Sequence, residues 1–295
     1  MNISPGTITL NIATFRSQAL GSLFGSAFDT EHGALAALTK LVPGASDTPN
    51  DALSLLAANG VTGLASVGRN TALADPESAY RMMSVINNAN VAYKAQFSEL
   101  SQMKSYVAQM QDTGQSLGTI TSSTGNDSIA SQLQGFVSQY NSWIQRFDPD
   151  MEKGGMLAGT QAAQVSRFEL GQSIENIFNG AKDGLRGLKD LGIAIDPKTK
   201  LASLDTAKLQ AVLTGNKQGA VETLREFSAN FAKSASLLNE SGNFIPRQLD
   251  NLGRAIHFIA TNETSLQAEF GTGNAAKPTG LVAQALAAYN QVYGI

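Results

Sequence analysis

"LGIAIDPKTKLASLD", residues 191 to 205, is the stretch whose reading decides the fold. Ile193 and Ile195 stand two apart, the spacing of one face of a strand. Asp196-Pro197-Lys198-Thr199 has turn chemistry, a short carboxylate that bonds its own backbone followed by a proline that presets φ. Leu201 resumes the strand. Asp205 then caps a short helix carrying Leu209, Val212 and Leu213. Gly215 ends that helix, and Asn216 caps another bearing Val221, Leu224, Phe227 and Phe231. A single small hairpin, at 191–204, is thus set between helices.

Upstream, "ADPESAYRMM" opens a long helix: Asp75 caps it, Pro76 fits the first helical position and Glu77 suits the positive end. Its apolar stripe is Ile86, Ala89, Tyr93, Phe97, Leu100, Met103, Val107 and Met110, in alternating steps of three and four. A helix of ~40 residues is ~60 Å long and needs partners along its length. Tyr93, Phe97, Leu100, Met103, Val107 and Met110 are therefore a candidate assembly stripe wherever intrachain helices leave it uncovered.

After the polar break "GTITSSTGNDS", Asp127 or Ser128 is expected to cap a second helix. Its apolar face is Ile129, Leu133, Phe136, Tyr140, Ile144 and Phe147, with Trp143 beside that face. "DPDMEKGGMLAG" reads as a loop. A third helix is expected over 160–181, burying Phe168, Ile174, Ile177 and Phe178. Pro246 introduces a further helix with Leu249, Leu252, Ile256 and Ile259, and "LVAQALAAYNQV" forms a last one after a Gly/Pro-bearing break at 271–280. The expected fold is mainly α, a long-helix bundle with one small β-hairpin and a mixed N-terminal leader. The segments are a leader at 1–74, the bundle at 75–270, and a linker with a helix at 271–295.

Composition limits the function. Only 15% of residues are charged against 42% apolar, and Ser, Thr, Asn, Gln and Gly fill the remainder, which suits long polar seams between chains. A net charge of −3 with no Lys/Arg cluster argues against nucleic acid. No apolar run approaches the roughly 20 residues that span a bilayer, so no membrane insertion is expected. The start, "MNISPGTITLNIATF", lacks the pattern of a cleaved signal, and there are no cysteines. Both fit a cytosolic protein, or one exported unfolded without a cleavable signal.

The order of elements carries a resemblance. "GFVSQYNSWI" leads to "GGMLAG", then to "GLRGLKDLGIAID", "LASLDTAKLQAVLTGNKQGAVETL" and "GNFIPRQLDNL". This resembles the C-terminal half of the flagellar filament cap protein family, hook-associated protein 2. Matching positions include Leu188, Leu191, Gly192, Ile193, Asp196, Leu201, Leu204, Asp205, Lys208, Leu209, Leu213, Asn216, Val221 and Leu224, together with Tyr140 and Asn141 of the preceding helix. Only "GTITSSTGNDSI" stands where the family usually carries a variable insertion.

The resemblance implies a structural, self-assembling protein that leaves the cell by flagellar export and forms a ring with copies of itself. It implies contact with flagellin or hook-junction proteins at the filament tip, with an export chaperone as a further partner and no cofactor. Tyr140, Asn141, Leu191, Gly192, Ile193, Asp196, Leu204, Asp205, Leu209 and Asn216 would be its structural signature. Two alternatives stand beside it. One is a cap-like paralogue acting as an adhesion or assembly accessory, in the cell or on its surface. The other is a ligand-binding or enzymatic helical domain, which needs polar groups converging on a pocket.

Reactive constellations are sparse. His257, in "RAIHFIA", reads as a partly buried structural histidine, and His32, in "DTEHGA", has only local carboxylates near it. Asp148, Asp150 and Glu152 alternate as cation ligands can, but the rest of a calcium loop is missing and a solvated linker is expected. "GGMLAG" lacks the Lys-Ser/Thr of a phosphate loop. No catalytic, cofactor-binding or metal-ligating residue is assigned.

Overall fold

Asp75 begins the first helix as its chemistry dictates: the Ser78 N–H and hydroxyl both donate to its carboxylate. The bond from the Ser78 hydroxyl, with that from its N–H, holds the Asp75 carboxyl below the usual range. Helix α1 then runs over Pro76–Leu117, 42 residues and about 63 Å. The computed structural model describes residues 67–177 and 185–294. Most of the expected leader, including His32, and Phe178 of the third helix lie outside them.

The remaining elements are α2 (Asn126–Met151), α3 (Gln161–Glu175), β1 (Ile193–Ile195), β2 (Ala202–Leu204), α4 (Thr206–Gly215), α5 (Lys217–Asn239), α6 (Phe244–Phe270) and α7 (Gly280–Tyr293). Among the described residues the only sheet is the antiparallel pair β1–β2, with Ile193 opposite Leu204, Ala194 opposite Ser203 and Ile195 opposite Ala202. The protein is mainly α, with one small hairpin.

The residues pack as two compact units that interleave along the chain. One comprises 67–99, Lys153–Thr160 and 248–294, the other Leu100–Glu152 and Gln161–Arg247. In the second, α3 lies along α5 and against β1, while α2 runs beside β2 and α4. Its centre is aromatic: Phe136 meets Phe227 and Phe231 edge-on, with centroids 5.1 and 5.0 Å away. The C-terminal part of α1 joins this unit through close approach to α5. A Cβ on Gly114 would lie 2.5 Å from the buried Phe231 ring, whereas one on Gly135, exposed in the middle of α2, would meet nothing. The two sites make opposite predictions. Gly114→Ala overpacks the buried Phe231 ring, and the clash outweighs the gain in helix propensity, so stability falls by about 1 kcal/mol. Gly135→Ala gains about 1 kcal/mol of helix propensity. Urea denaturation of the two variants, read against wild type, checks both signs.

Several expectations are corrected. Helix α2 starts at Asn126 after Gly125, without a side-chain cap, and continues past Pro149 to Met151. Residues 148–151 are therefore helix, because burial of Met151 and the ion pairs of Asp150 with Arg146 and of Asp148 with Arg167 hold the last turn despite the proline. Helix α3 ends at Glu175, short of the expected 181. Phe168 and Ile177 are 62% and 65% exposed, not buried, since the face that α3 turns inward is Ala162, Ala163, Ser166, Leu170, Ser173 and Ile174. Trp143 is wholly interior, its ring centroid 6.1 Å from that of Phe147. Residues 187–192 form a turn that leads into β1.

Candidate functional site

In a two-stranded ribbon, alternate residues point their N–H and C=O groups away from the partner strand. In β2 these are Ala202 and Leu204, and Ala202 is buried, so its outward backbone groups need partners. Asn141 on α2 supplies both. Its Nδ2 donates to the Ala202 carbonyl at 2.9 Å, and its Oδ1 accepts from the Ala202 N–H at 2.7 Å. One side-chain amide thus stands in for a third strand and fixes the hairpin on the helix.

The chain enters the hairpin through Gly192, whose φ of +93° is a left-handed conformation. The turn before it closes with Ile193 N–H donating to the Leu188 carbonyl at 3.0 Å and Gly192 N–H to that of Lys189 at 3.2 Å. This is the double-bonded left-handed cap found at helix ends. Across the ribbon, Asp205 N–H donates to the Gly192 carbonyl at 2.8 Å. Leu188, Leu191 and Ile193 are buried around this junction. The ammonium of Lys208 donates to the Lys189 carbonyl at 2.7 Å, a second tie between the turn and α4.

The far end of the ribbon is closed by Asp196. Its Oδ1 accepts from the backbone N–H of Thr199 and of Lys198 and from the Thr199 hydroxyl, and these bonds hold its carboxyl below the ordinary range. Lys200 follows with φ +60°, which strains a residue bearing a Cβ. Lys200→Gly is therefore expected to raise stability by about 1 kcal/mol, observable as a higher thermal midpoint. Beyond the ribbon, Asp205 caps α4 by accepting from Lys208 N–H at 2.9 Å, and Asn216 caps α5 by accepting from Gly219 N–H at 3.0 Å. Leu209 is buried, Leu204 half-buried.

The sequence profile of the flagellar hook-associated protein 2 C-terminus family matches residues 107–276, more than half of the 295-residue chain. The chain belongs to that family. The matched span takes in the whole helix–hairpin junction, with its caps, clamped ribbon and buried leucines. Its members are structural flagellar proteins, and this chain is one of them, not an enzyme. Similarity also extends to the crystal structure of the flagellar cap protein FliD, domains D1-D2-D3, from Escherichia coli. That likeness has 18% identity and a TM-score of 0.39, over 43% of this chain and 37% of that one. No curated protein matches the sequence.

The other candidate residues of this family member are dispersed. Tyr140, beside Asn141 in sequence, is buried, and burial, with the charges of Glu175 and Asp148, pushes its phenol up to about 12. Tyr93, Leu100, Met103, Val107 and Met110 of the α1 stripe are buried within the chain. Phe97 is half-buried and meets the rings of Tyr289 and Tyr293 edge-on at 5.8 and 5.3 Å. The alternating carboxylates do not converge: Arg167 draws Asp148 to 3.0 Å and Glu152 to 3.7 Å, while Asp150 pairs with Arg146 at 3.1 Å. His257 is exposed, not partly buried, because α6 turns Leu252, Ala255, Ile256 and Ile259 inward.

Sequence reading missed two participants. Ala202 gave no signal, because its role belongs to its backbone. Lys208 stood among the matching positions, but only the fold brings its ammonium to the Lys189 carbonyl.

Proposed function

We propose that the chain assembles with copies of itself into a cap at the tip of the flagellar filament and positions exported flagellin subunits there. The family match over residues 107–276 carries this reading. The junction supports a mechanical role, since its polar side chains are engaged with backbone groups of the same chain and are spent on holding shape. With five of the six stripe residues buried, self-association would draw on polar seams rather than on that stripe. Partners under this reading are further copies, flagellin or hook-junction subunits, and an export chaperone. Among the described residues no helix is long and apolar enough to cross a membrane.

A cap-like accessory is the second reading. It is favoured by the link between α1 and α2, which is only residues 118–125 where the resemblance implies a variable insertion. Fractionation separates the two. Protein in sheared flagella, with a multimer by light scattering, supports the cap; strictly cytosolic protein in flagellated cells, or a monomer at high concentration, contradicts it.

A further inference from the structure

Two segments far apart in sequence, 67–74 and 271–274, meet beside the first turns of α1, and polar groups make the junction. Thr272 N–H donates to the Gly68 carbonyl at 2.7 Å. The Asn70 amide donates to the Ala268 and Glu269 carbonyls, at 3.0 and 3.1 Å, and so covers acceptors that the end of α6 leaves open. Asn87 on α1 donates to the Thr272 carbonyl at 3.1 Å and the Asn274 carbonyl at 2.9 Å. Asn274 N–H donates to the Ser84 hydroxyl at 2.7 Å, and its side chain accepts from the Tyr80 hydroxyl at 2.9 Å. Gly273 is pressed so closely on α1 that a Cβ there would lie 2.5 Å from the Ser84 nitrogen.

Nearly all these bonds are solvent-exposed, and no large apolar side chain within 67–74 or 271–274 is buried. Such segments open at low free energy, in contrast to apolar cores. The helix that follows is held apart from the clasp, by the rings of Tyr289 and Tyr293 against Phe97. Ala285 is the one buried residue of α7, and Leu281, Val292 and Tyr293 are exposed. A helix of 14 residues has little stability of its own.

We propose that 67–74 and 271–274 form a polar clasp that opens as one cooperative unit while the helical cores stay folded, freeing the segment that enters α1 and the link from α6 to α7 together. The halves share supports: Gly271 is pressed on the backbone of Gly68 and Arg69, and Tyr80 serves both, its ring under the Arg69 guanidinium and its hydroxyl donating to Asn274, so loosening one half loosens the other. The clasp is a conformational joint between the two ends of the described chain.

Hydrogen exchange of the full chain, wild type against Asn87→Ala and Asn70→Ala, tests this. In either variant the amides of Ala72, Thr272 and Asn274 should lose protection together, by about tenfold or more, with those of α2 and α5 unchanged. Trypsin should then cut after Arg69 and after Lys277 at rates that rise in parallel. Loss in one segment alone, no loss in either variant, or equal loss throughout the helices would overturn the proposal.

Discussion

Gly192→Ala is expected to lower the stability of the hairpin-bearing unit by about 3 kcal/mol, combining left-handed strain with a steric clash. The strain follows from φ +93°, a conformation that a residue with a Cβ adopts at a cost. The clash is independent of it, because the new Cβ would lie 2.6 Å from the Asp205 carbonyl oxygen. That carbonyl is backbone at the start of α4 and cannot rotate away. Relief would have to come from parting the ribbon, at the expense of the 2.8 Å bond from Asp205 N–H to the Gly192 carbonyl. Trp143 is the chain's one tryptophan and is buried in this same unit, so its fluorescence in a urea titration reads the loss where it occurs. A midpoint unchanged from wild type would mean that the turn is not built as described.

Asn141→Leu should cost a comparable amount, about 3 kcal/mol. It strands a buried donor and a buried acceptor on Ala202, each worth roughly 1–3 kcal/mol when left unmet. Asn141→Asp separates the two halves of the clamp. A carboxylate still accepts from Ala202 N–H but confronts the Ala202 carbonyl with like partial charge, so a loss of about 2 kcal/mol is expected. The order, leucine worse than aspartate and both worse than asparagine, distinguishes a two-bond clamp from simple packing. If the amide merely filled space, aspartate, which matches it in shape and size, would be harmless, and leucine, with the same branched skeleton but larger methyl ends, would cost only what its extra volume demands.

These two residues show what was legible in the chain and what was not. Gly192, Asp196, Asp205 and Asn216 act through local chemistry, a left-handed turn, a self-bonded turn and two caps, and local chemistry is written in adjacent letters. Asn141 also stood out in sequence, but its action depends on residue 202, sixty-one positions away, and no spacing rule reports that. Phe168 misled because an aromatic in a helix reads as core, while α3 buries mostly small residues against its neighbours. Residues 148–151 misled for the converse reason. Asp-Pro-Asp reads as a helix end, but the Arg146 and Arg167 partners that hold the turn in place become visible only in the folded chain. Nothing near residue 99 marks where α1 passes from one compact unit to the other, since its stripe continues without interruption.

On the proposed function the chain works by cohesion, as a cap subunit that keeps exported flagellin at the filament tip. The most direct measurement is the amount of unpolymerised flagellin in the culture medium of a strain lacking the protein. The account predicts abundant free flagellin and short or missing filaments, both reversed by the wild-type chain and poorly reversed by Gly192→Ala. Filaments of normal length with no free flagellin in the medium would contradict it.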